Sequence, residues 1–215
     1  MSLDPTHRSR RRATALALPS LLALALLLGG CGGSGGATAE TSTATGSYAG
    51  GDAVNPKAAP PLKLTDYKGH TVDLASLKGE PVLVAFLYTH CQDLCPVVAS
   101  KVHTADSLLR PGAKPPLLLA VSVDPEHDTP ASAAKFNREH RTNGEIDWLL
   151  GSRAELERVW KAWKVLPQRE KGDPEVIEHS ADISGIGADG LIHVLYPPSF
   201  KPALLARDIE TLAET

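Results

Sequence analysis

Cysteine and aromatic residues are scarce in this chain of 215 residues, which has three cysteines and an aromatic fraction of 5%. No segment repeats at the spacing of a solenoid protein. Three cysteines cannot form the set of pairs that a disulfide framework needs. The formal net charge is −3, and residues 1–30 hold +3 from four Arg and one Asp, which leaves −6 for the rest. An acidic remainder argues against nucleic-acid binding.

Long apolar runs are also missing, apart from one near the N-terminus. It extends from Ala13 to Leu28, and its 16 residues are short for a membrane-spanning helix but typical of a signal peptide. The arginines before it form a basic region and also permit twin-arginine export. Leu28-Gly29-Gly30-Cys31 follows and resembles the bacterial lipobox. We predict a signal peptide over residues 1–30 and a bacterial membrane protein, lipid-anchored through Cys31 on the extracytoplasmic side. An ordinary secretory signal and an uncleaved anchor are the alternatives.

Residues 31–61 are rich in Gly, Ser, Thr, Ala and Pro and contain almost no large apolar side chain. Such a segment cannot bury a core, so we predict a flexible linker there. The folded domain is predicted to span residues 62–215.

Hydrophobic patterns within residues 62–215 predict an α/β fold. The apolar runs at 81–88 and 117–123 are typical of central parallel strands, and helices follow them with 3.6-residue periodicity. We predict strands at 62–64, 71–74, 81–88, 117–123, 146–149, 180–186 and 191–196, and helices at 97–110, 129–141, 153–163 and 202–213. The polar residues 167–174 are predicted to be a loop. This order is a thioredoxin-like layout with an added N-terminal β-hairpin.

Cys91 and Cys95 lie where the first buried strand passes into a helix, with Pro96 predicted at the first helical position. The positive end of a helix dipole favours the thiolate form. Thiolates attack disulfides and also bind soft ions such as Cu(I). The four-residue spacing lets both sulfurs converge on one ion, and a nearby imidazole would complete a trigonal site. A purely structural disulfide would close a loop too small to add much stability.

His179 is the histidine best placed to join the cysteines, because a thioredoxin-like layout brings the start of the last hairpin to the cysteine loop. His90 adjoins Cys91, but neighbours on an extended segment point to opposite sides, which disfavours joint ligation. The others considered are predicted to be exposed (His103, His127, His140) or a core or edge residue of a strand (His193).

Three stretches of the chain resemble the SCO/SenC family. Tyr-Thr-His-Cys-Gln-Asp-Leu-Cys-Pro at 88–96 is similar to the family's copper-site segment, and Ser-Val-Asp-Pro-Glu-His-Asp-Thr-Pro at 122–130 to its second signature. Glu178-His179-Ser180 is similar to the third. The resemblance covers residues 62–215 and implies a thioredoxin-like fold and a role in maturing the binuclear copper centre of cytochrome c oxidase. It also implies copper, as Cu(I) or Cu(II), bound by Cys91, Cys95 and His179.

Two features depart from the family pattern. Gln92 stands where the family usually has proline, and residues 181–186 are less apolar than the usual strand, which leaves the length of that strand open. Asp124 is a candidate for supporting the metal ligands or for docking a partner. The alternative is an ordinary turn residue beside Pro125.

Three functions remain open. The first is a copper metallochaperone that serves the copper-site subunit of cytochrome c oxidase, with a tether that raises its effective concentration there. The second is a thiol–disulfide oxidoreductase with Cys91 and Cys95 as its redox pair, acting on the oxidase copper site or other exported proteins. Its partners could include other copper chaperones or thiol–disulfide reductases. The four-residue spacing and the lack of proline in residues 176–180 favour metal. The third is a peroxiredoxin-type peroxidase, suggested by Thr89 and Cys91 but disfavoured by Cys95.

Overall fold

An eight-stranded mixed sheet organises residues 48–215, the part of the chain that the computed structural model describes. The strands are β1 Asp52–Ala58, β2 Lys63–Asp66, β3 Thr71–Asp73, β4 Val82–Leu87, β5 Leu117–Ser122, β6 Ile146–Leu150, β7 Gln168–Glu170, β8 Asp173–Glu178, β9 Ile183–Ile186 and β10 Leu191–Tyr196. The helices are α1 Leu94–Ser107, α2 Pro130–His140, α3 Arg153–Trp163 and α4 Pro202–Ala213. The predicted signal peptide and Cys31 lie outside the described residues.

The strand order is β1-β10-β9-β4-β5-β6-β2-β3, while β7 and β8 form a separate two-stranded sheet. Strands β4, β5 and β6 are parallel to one another, and β9 is antiparallel to β4. Every side chain of β4 is buried, as is nearly every one of β5. Strands covered on both faces need continuous apolar runs, so the sequence pattern and the central position agree.

Helices α2 and α3 begin where side chains cap their free N–H groups. Thr129 and Ser132 form a reciprocal capping box at the start of α2, with Pro130 in the first turn. Ser152 and Glu155 form the same arrangement at α3. The predicted starts of both helices are confirmed, because a cap and a following proline are local signals. Within residues 48–215, no helix combines the length and apolar character needed to cross a bilayer.

Helix α1 begins three residues earlier than predicted, at Leu94 instead of Val97. Cys95 therefore lies in the first turn, and Pro96 is the third helical residue instead of the first. Proline is tolerated there because the first four N–H groups of a helix have no partner within it.

Residues 167–174 are not a loop, as predicted, but supply β7 and the start of β8. The two strands pair antiparallel, with Arg169 opposite Ile177. Gly172 turns the chain between them at a φ of 109°. The pattern missed this hairpin because most of its side chains are exposed, so no apolar alternation marks it.

The predicted linker extends too far along the chain, because residues 52–58 form strand β1. This strand pairs with β10, and a register irregularity between Ala53 and Lys57 accommodates Pro56. Upstream, the backbone N–H groups of Ala49 and Gly50 donate to the carboxylate of Asp208, whose side chain is fully buried. Low strand propensity hid this segment, which gains its order from tertiary hydrogen bonds.

Candidate metal centre

The carboxyl end of β4 opens onto a cavity of about 720 Å³ that contains all three predicted ligands. Tyr88, Cys91 and Cys95 lie on one wall, which is built from β4 and α1. Residues of β8, followed by His179, form the opposite wall. The fold thus brings residues almost ninety positions apart in sequence to the same cavity.

Cys91 and Cys95 are both free thiols and differ sharply in environment. Cys91 is half-buried, whereas Cys95 is only 1% exposed. The backbone N–H of Cys95 donates to Cys91 Sγ over 3.4 Å. This contact exists because α1 starts at Leu94, which directs the free N–H groups of the first turn toward the sulfur.

The two thiols share one proton at neutral pH. Hydrogen bonding from the Cys95 thiol lowers the pKa of Cys91 to about 5, assisted by backbone N–H groups and the Tyr88 hydroxyl and opposed by burial. Hydrogen bonding to Cys91 and burial raise the pKa of Cys95. Cys91 is therefore the thiolate, and Cys95 keeps its proton until a metal or a disulfide takes its place.

Tyr88 joins the two walls of the cavity. Its hydroxyl oxygen accepts from the backbone N–H of Ile177 in β8 over 3.4 Å. Burial, with a contribution from the Cys91 thiolate, raises the pKa of Tyr88 to about 12. The hydroxyl therefore remains protonated and can donate to Cys91 at any pH near neutral.

His179 is half-buried and follows directly after β8. Its Nδ1 lies 2.8 Å from the carbonyl oxygen of Ser180. A carbonyl can only accept, so Nδ1 carries the ring proton and Nε2 carries the free lone pair. Ligating histidines commonly donate their other ring N–H to a backbone carbonyl in this way, so His179 fits the role of a metal ligand through Nε2.

The three predicted ligands share the cavity but are not drawn tightly together. Among residues 48–215, the only three ligand atoms of His, Cys, Asp or Glu that all lie within 4.8 Å of one another belong to His90, Asp124 and His127. Binding of one ion by Cys91, Cys95 and His179 therefore requires the His179 side chain to approach the sulfurs.

Asp124 is fully buried and sits at the centre of a charged cluster. Its Oδ1 accepts from Arg169 and its Oδ2 from His127, both over 2.8 Å. Since its side chain is 0% exposed, it offers no surface to a partner protein. The sequence patterns did not predict that His90 and Arg169 lie beside it, although the three-residue spacing of Asp124 and His127 in a turn was a usable signal.

A second buried carboxylate supports the end of β4. Asp128 accepts from the backbone N–H and the hydroxyl of Thr89 and from the hydroxyl of Ser122, over 2.6–2.8 Å. Burial nevertheless raises the pKa of Asp128. These bonds fix the residues that immediately precede the cysteine loop.

The remaining predicted residues lie as follows. Gln92 is exposed and lines the cavity. His103 pairs with Glu145 at the surface, and His193 pairs with Asp189 from within β10. His140 packs against Phe136.

Comparison with known proteins relates this chain to one family, both by a family profile and by individual relatives. The SCO1/SenC family profile matches residues 51–214, so the match begins within the segment predicted as linker. The chain is 30% identical over 135 residues to the SCO1 protein homolog of Bacillus subtilis, covering 61% of this chain and 69% of that protein. It is 30% identical over 141 residues to the mitochondrial SCO2 homolog of Bos taurus, covering 63% of this chain and 52% of that protein. The chain thus spans about half the length of this mitochondrial relative.

Solved structures agree in fold. Bradyrhizobium japonicum ScoI with copper bound matches with a TM-score of 0.63 at 29% identity, covering 72% of this chain and 99% of that one. The apo Sco1 protein of Thermus thermophilus matches with a TM-score of 0.63 at 26% identity, covering 75% and 95%. These matches confirm the predicted thioredoxin-like fold. With three quarters of its length matched by the family profile, the chain belongs to the SCO1/SenC family.

Proposed function

We propose that this protein is a copper chaperone that binds one copper ion with Cys91, Cys95 and His179 and passes it to the binuclear copper centre of cytochrome c oxidase. Copper is its cargo and not a resident cofactor. The observation that carries the proposal is the shared cavity, in which a thiolate, a thiol and an imidazole with a free Nε2 face one another.

The donor set favours Cu(I) over other ions. Thiolates are soft ligands that select Cu(I), whereas structural zinc sites use four protein ligands. Binding displaces the proton of Cys95, and the positive ion compensates for the second sulfur charge. A three-ligand site open to a cavity also leaves room for an acceptor's ligand during transfer.

Similar proteins support both the cargo and the acceptor. The 29% identical Bradyrhizobium japonicum ScoI is a copper-bound structure. A 25% identical protein, BsSco, is described as a member of the Sco family of cytochrome c oxidase assembly proteins. We extend this to a domain held at the extracytoplasmic face of a bacterial membrane by lipid on Cys31, where the oxidase subunit that holds the binuclear copper is also embedded.

The ligand set is tested by replacing His179 with alanine and measuring Cu(I) affinity by competition with a chromophoric chelator. We expect a loss larger than the roughly 10–100-fold that removal of an outer-shell partner costs, because a direct ligand is lost. The matched control is His103→Ala, which removes a surface imidazole paired with Glu145. Equal affinity of the His179 variant and the control would show that the three-ligand site is wrong.

The acceptor and the anchor are tested in cells. A strain lacking this protein should assemble oxidase with less copper, and a Cys31→Ser variant should restore the copper content less well than the wild-type chain. Normal oxidase copper in the deletion strain would exclude the delivery role while leaving copper binding intact.

The second candidate function is thiol–disulfide exchange, favoured by the contrast between an accessible Cys91 thiolate and a buried Cys95 thiol. Cys91 would attack a partner disulfide and release one partner thiolate. Cys95 would then lose its proton and attack Cys91 Sγ, which breaks the mixed disulfide and releases the second partner thiolate, so that the partner is reduced by two electrons and this pair is oxidised to a disulfide. Rapid reduction of insulin by the copper-free protein would favour this function over copper delivery.

A further inference from the structure

A cluster of nitrogen and oxygen ligands lies beside the cysteine loop but shares no residue with the proposed copper ligands. His90 Nε2 is 3.3 Å from Asp124 Oδ2, and His127 Nδ1 is 2.8 Å from the same oxygen. We infer that His90, Asp124 and His127 form a second metal site, which takes a divalent transition ion and binds Cu(II) most tightly. This inference is independent of the proposed function, because it uses neither cysteine nor His179.

The spacing of the three atoms suits a single ion. Imidazole nitrogens and carboxylate oxygens bind such ions at about 2.0–2.2 Å, which places two tetrahedral ligands roughly 3.3 Å apart. The 3.3 Å separation of His90 Nε2 from Asp124 Oδ2 matches this value, whereas the 2.8 Å separation of His127 Nδ1 is that of a hydrogen bond and must widen by about half an ångström. One ligand atom from each of the three residues lies within 4.8 Å of the others. An ion can therefore enter with small side-chain shifts.

His90 has no other use for its ring nitrogens among residues 48–215. Both nitrogens are buried and lack a hydrogen-bond partner there, although Nε2 lies close to Asp124, because the geometry is wrong for a hydrogen bond. The ring is held edge-on between Tyr88, at a centroid distance of 4.9 Å, and His127, at 5.2 Å. An imidazole that is 27% exposed but whose two buried nitrogens lack a hydrogen-bond partner, fixed against a carboxylate, is an arrangement that a bound ion would complete.

The surrounding charges allow a cation despite the nearby arginine. Arg169 contacts Asp124 through Oδ1, whereas both histidines face Oδ2, so one carboxylate can serve both. Glu126 also contacts Arg169, and Glu175 lies 3.8 Å from His90 Nε2. The positive charge of Arg169 is thus offset by carboxylates, and Glu175 is placed to become a fourth ligand.

The chemistry of the donors sets the class of ion. Two imidazoles and a carboxylate suit Cu(II), Zn(II) and Ni(II), and Cu(II) stands highest in the affinity order of these divalent ions. The hydrogen bond from His127 to Asp124 must open, and the ring proton must leave Nδ1, passing to Nε2 or to solvent, before Nδ1 can bind the ion. The molecule therefore offers a hard-to-borderline site for oxidised copper next to soft thiols that prefer Cu(I).

The test uses the full chain, purified in detergent, with Cys91→Ser and Cys95→Ser together so that thiols neither bind nor reduce Cu(II). At one equivalent of Cu(II), we expect an electron paramagnetic resonance spectrum with hyperfine coupling to two imidazole nitrogens. Adding His127→Gln should weaken binding by at least about tenfold, the scale seen when a metal site loses a supporting group. The His127 side chain is 51% exposed, so this change does not threaten the fold.

Two further variants decide the assignment. His90→Gln should weaken Cu(II) binding as His127→Gln does, and His103→Gln should leave it unchanged. Absence of a one-equivalent complex would overturn the second site, as would a complex insensitive to His90 and His127 but lost on His179→Gln. Cu(I) titration of the wild-type chain tests the proposed chaperone site separately, so the two failures are distinguishable.

Discussion

The two walls of the cavity are built in very different ways. The cysteine wall rests on β4, whose six side chains are all buried, and on the first turn of α1. The histidine wall rests on β7 and β8, a small sheet separate from the main one. The hydroxyl of Tyr88 accepts from the Ile177 N–H of this hairpin at a long 3.4 Å, and Arg169 of β7 donates to Asp124 over 2.8 Å.

Because of this difference, we expect the two walls to contribute to metal binding in different ways. Ligands on a core strand and helix start are held in place by packing and cost little to order on binding. A ligand on an exposed hairpin belongs to the least stable part of a fold and can move toward or away from the sulfurs. In the proposed copper site, we therefore expect loading and release of the ion to depend on movement of the histidine wall, while the cysteine wall stays fixed.

The largest expected effect comes from breaking the fixed wall beneath the cysteines. Asp128→Ala leaves two donors of Thr89 and the hydroxyl of Ser122 without their acceptor. Each buried unsatisfied group costs about 1–3 kcal/mol, so we expect the free energy of unfolding to fall by roughly 3 kcal/mol or more. Chemical denaturation measures this change.

Asp128→Asn is the matched control, since it keeps an acceptor oxygen and the neutral form that burial already favours by raising the pKa of Asp128. We expect it to be clearly milder than alanine. Equal losses in the two variants would mean that packing, and not these hydrogen bonds, fixes the wall.

A moderate effect is expected in how the reduction potential of the Cys91–Cys95 pair, measured between its disulfide and dithiol forms, depends on pH. The pKa of Cys91 is lowered to about 5 and that of Cys95 is raised, so reduction takes up one proton for two electrons around neutral pH. The potential should therefore fall by about 30 mV per pH unit between pH 6 and 8, equivalent to about 1.4 kcal/mol. Redox titration at several pH values measures the slope, and twice this slope would show that Cys91 is an ordinary thiol.

The smallest expected effect comes from removing one of the contacts between the hairpin and the cysteine wall, the hydrogen bond of Tyr88 with Ile177. Tyr88→Phe removes the acceptor for Ile177 N–H, at a cost of about 0.5–1.5 kcal/mol for one hydrogen bond. Amide hydrogen exchange should become faster in residues 173–178 while β4 and β5 change little. Cu(I) should slow exchange in the same hairpin of the wild-type chain. An equal increase in exchange across β4 would mean that the two walls unfold together.

The contrast between the buried central strands and the exposed hairpin also explains which parts of the structure could be predicted from the sequence. The central strands, the capped starts of α2 and α3, and the exact span of β10 follow from local signals: apolar runs, caps and a tight turn. The β7–β8 hairpin and β1 could not be predicted, because their residues have no apolar alternation and their order comes from partners elsewhere in the chain. Asp208, which accepts from Ala49 and Gly50, lies almost 160 residues away from them.

The candidate site was predictable only where its residues are adjacent in sequence. The spacing of Cys91 and Cys95 indicates a paired site, whereas His179 was identified from the predicted layout and the family resemblance and not from a local pattern. We predicted that His90 and Cys91 point to opposite sides, and the His90 ring lies beside Asp124, which is consistent with that prediction. The contact with Asp124 could not be predicted, because it depends on how the loop after β5 packs against the end of β4. The difference in pKa between Cys91 and Cys95 could not be predicted either, because it depends on α1 beginning at Leu94 and not at Val97.

The pairing of β1 has one more consequence, for the edge of the main sheet. β10 is antiparallel to β9, which is antiparallel to β4, so β10 and β4 point the same way. β1 enters opposite Leu195, near the end of β10, and hence at the edge of the sheet where the cysteines lie. The C-terminal end of α4 contacts the opposite edge, where Ala188 N–H donates to Leu212. Residues 52–58 thus cover β10 along its length from the cysteine edge to the opposite edge, and a chain shortened by β1 would leave β10 as an unprotected sheet edge open to pairing with another chain.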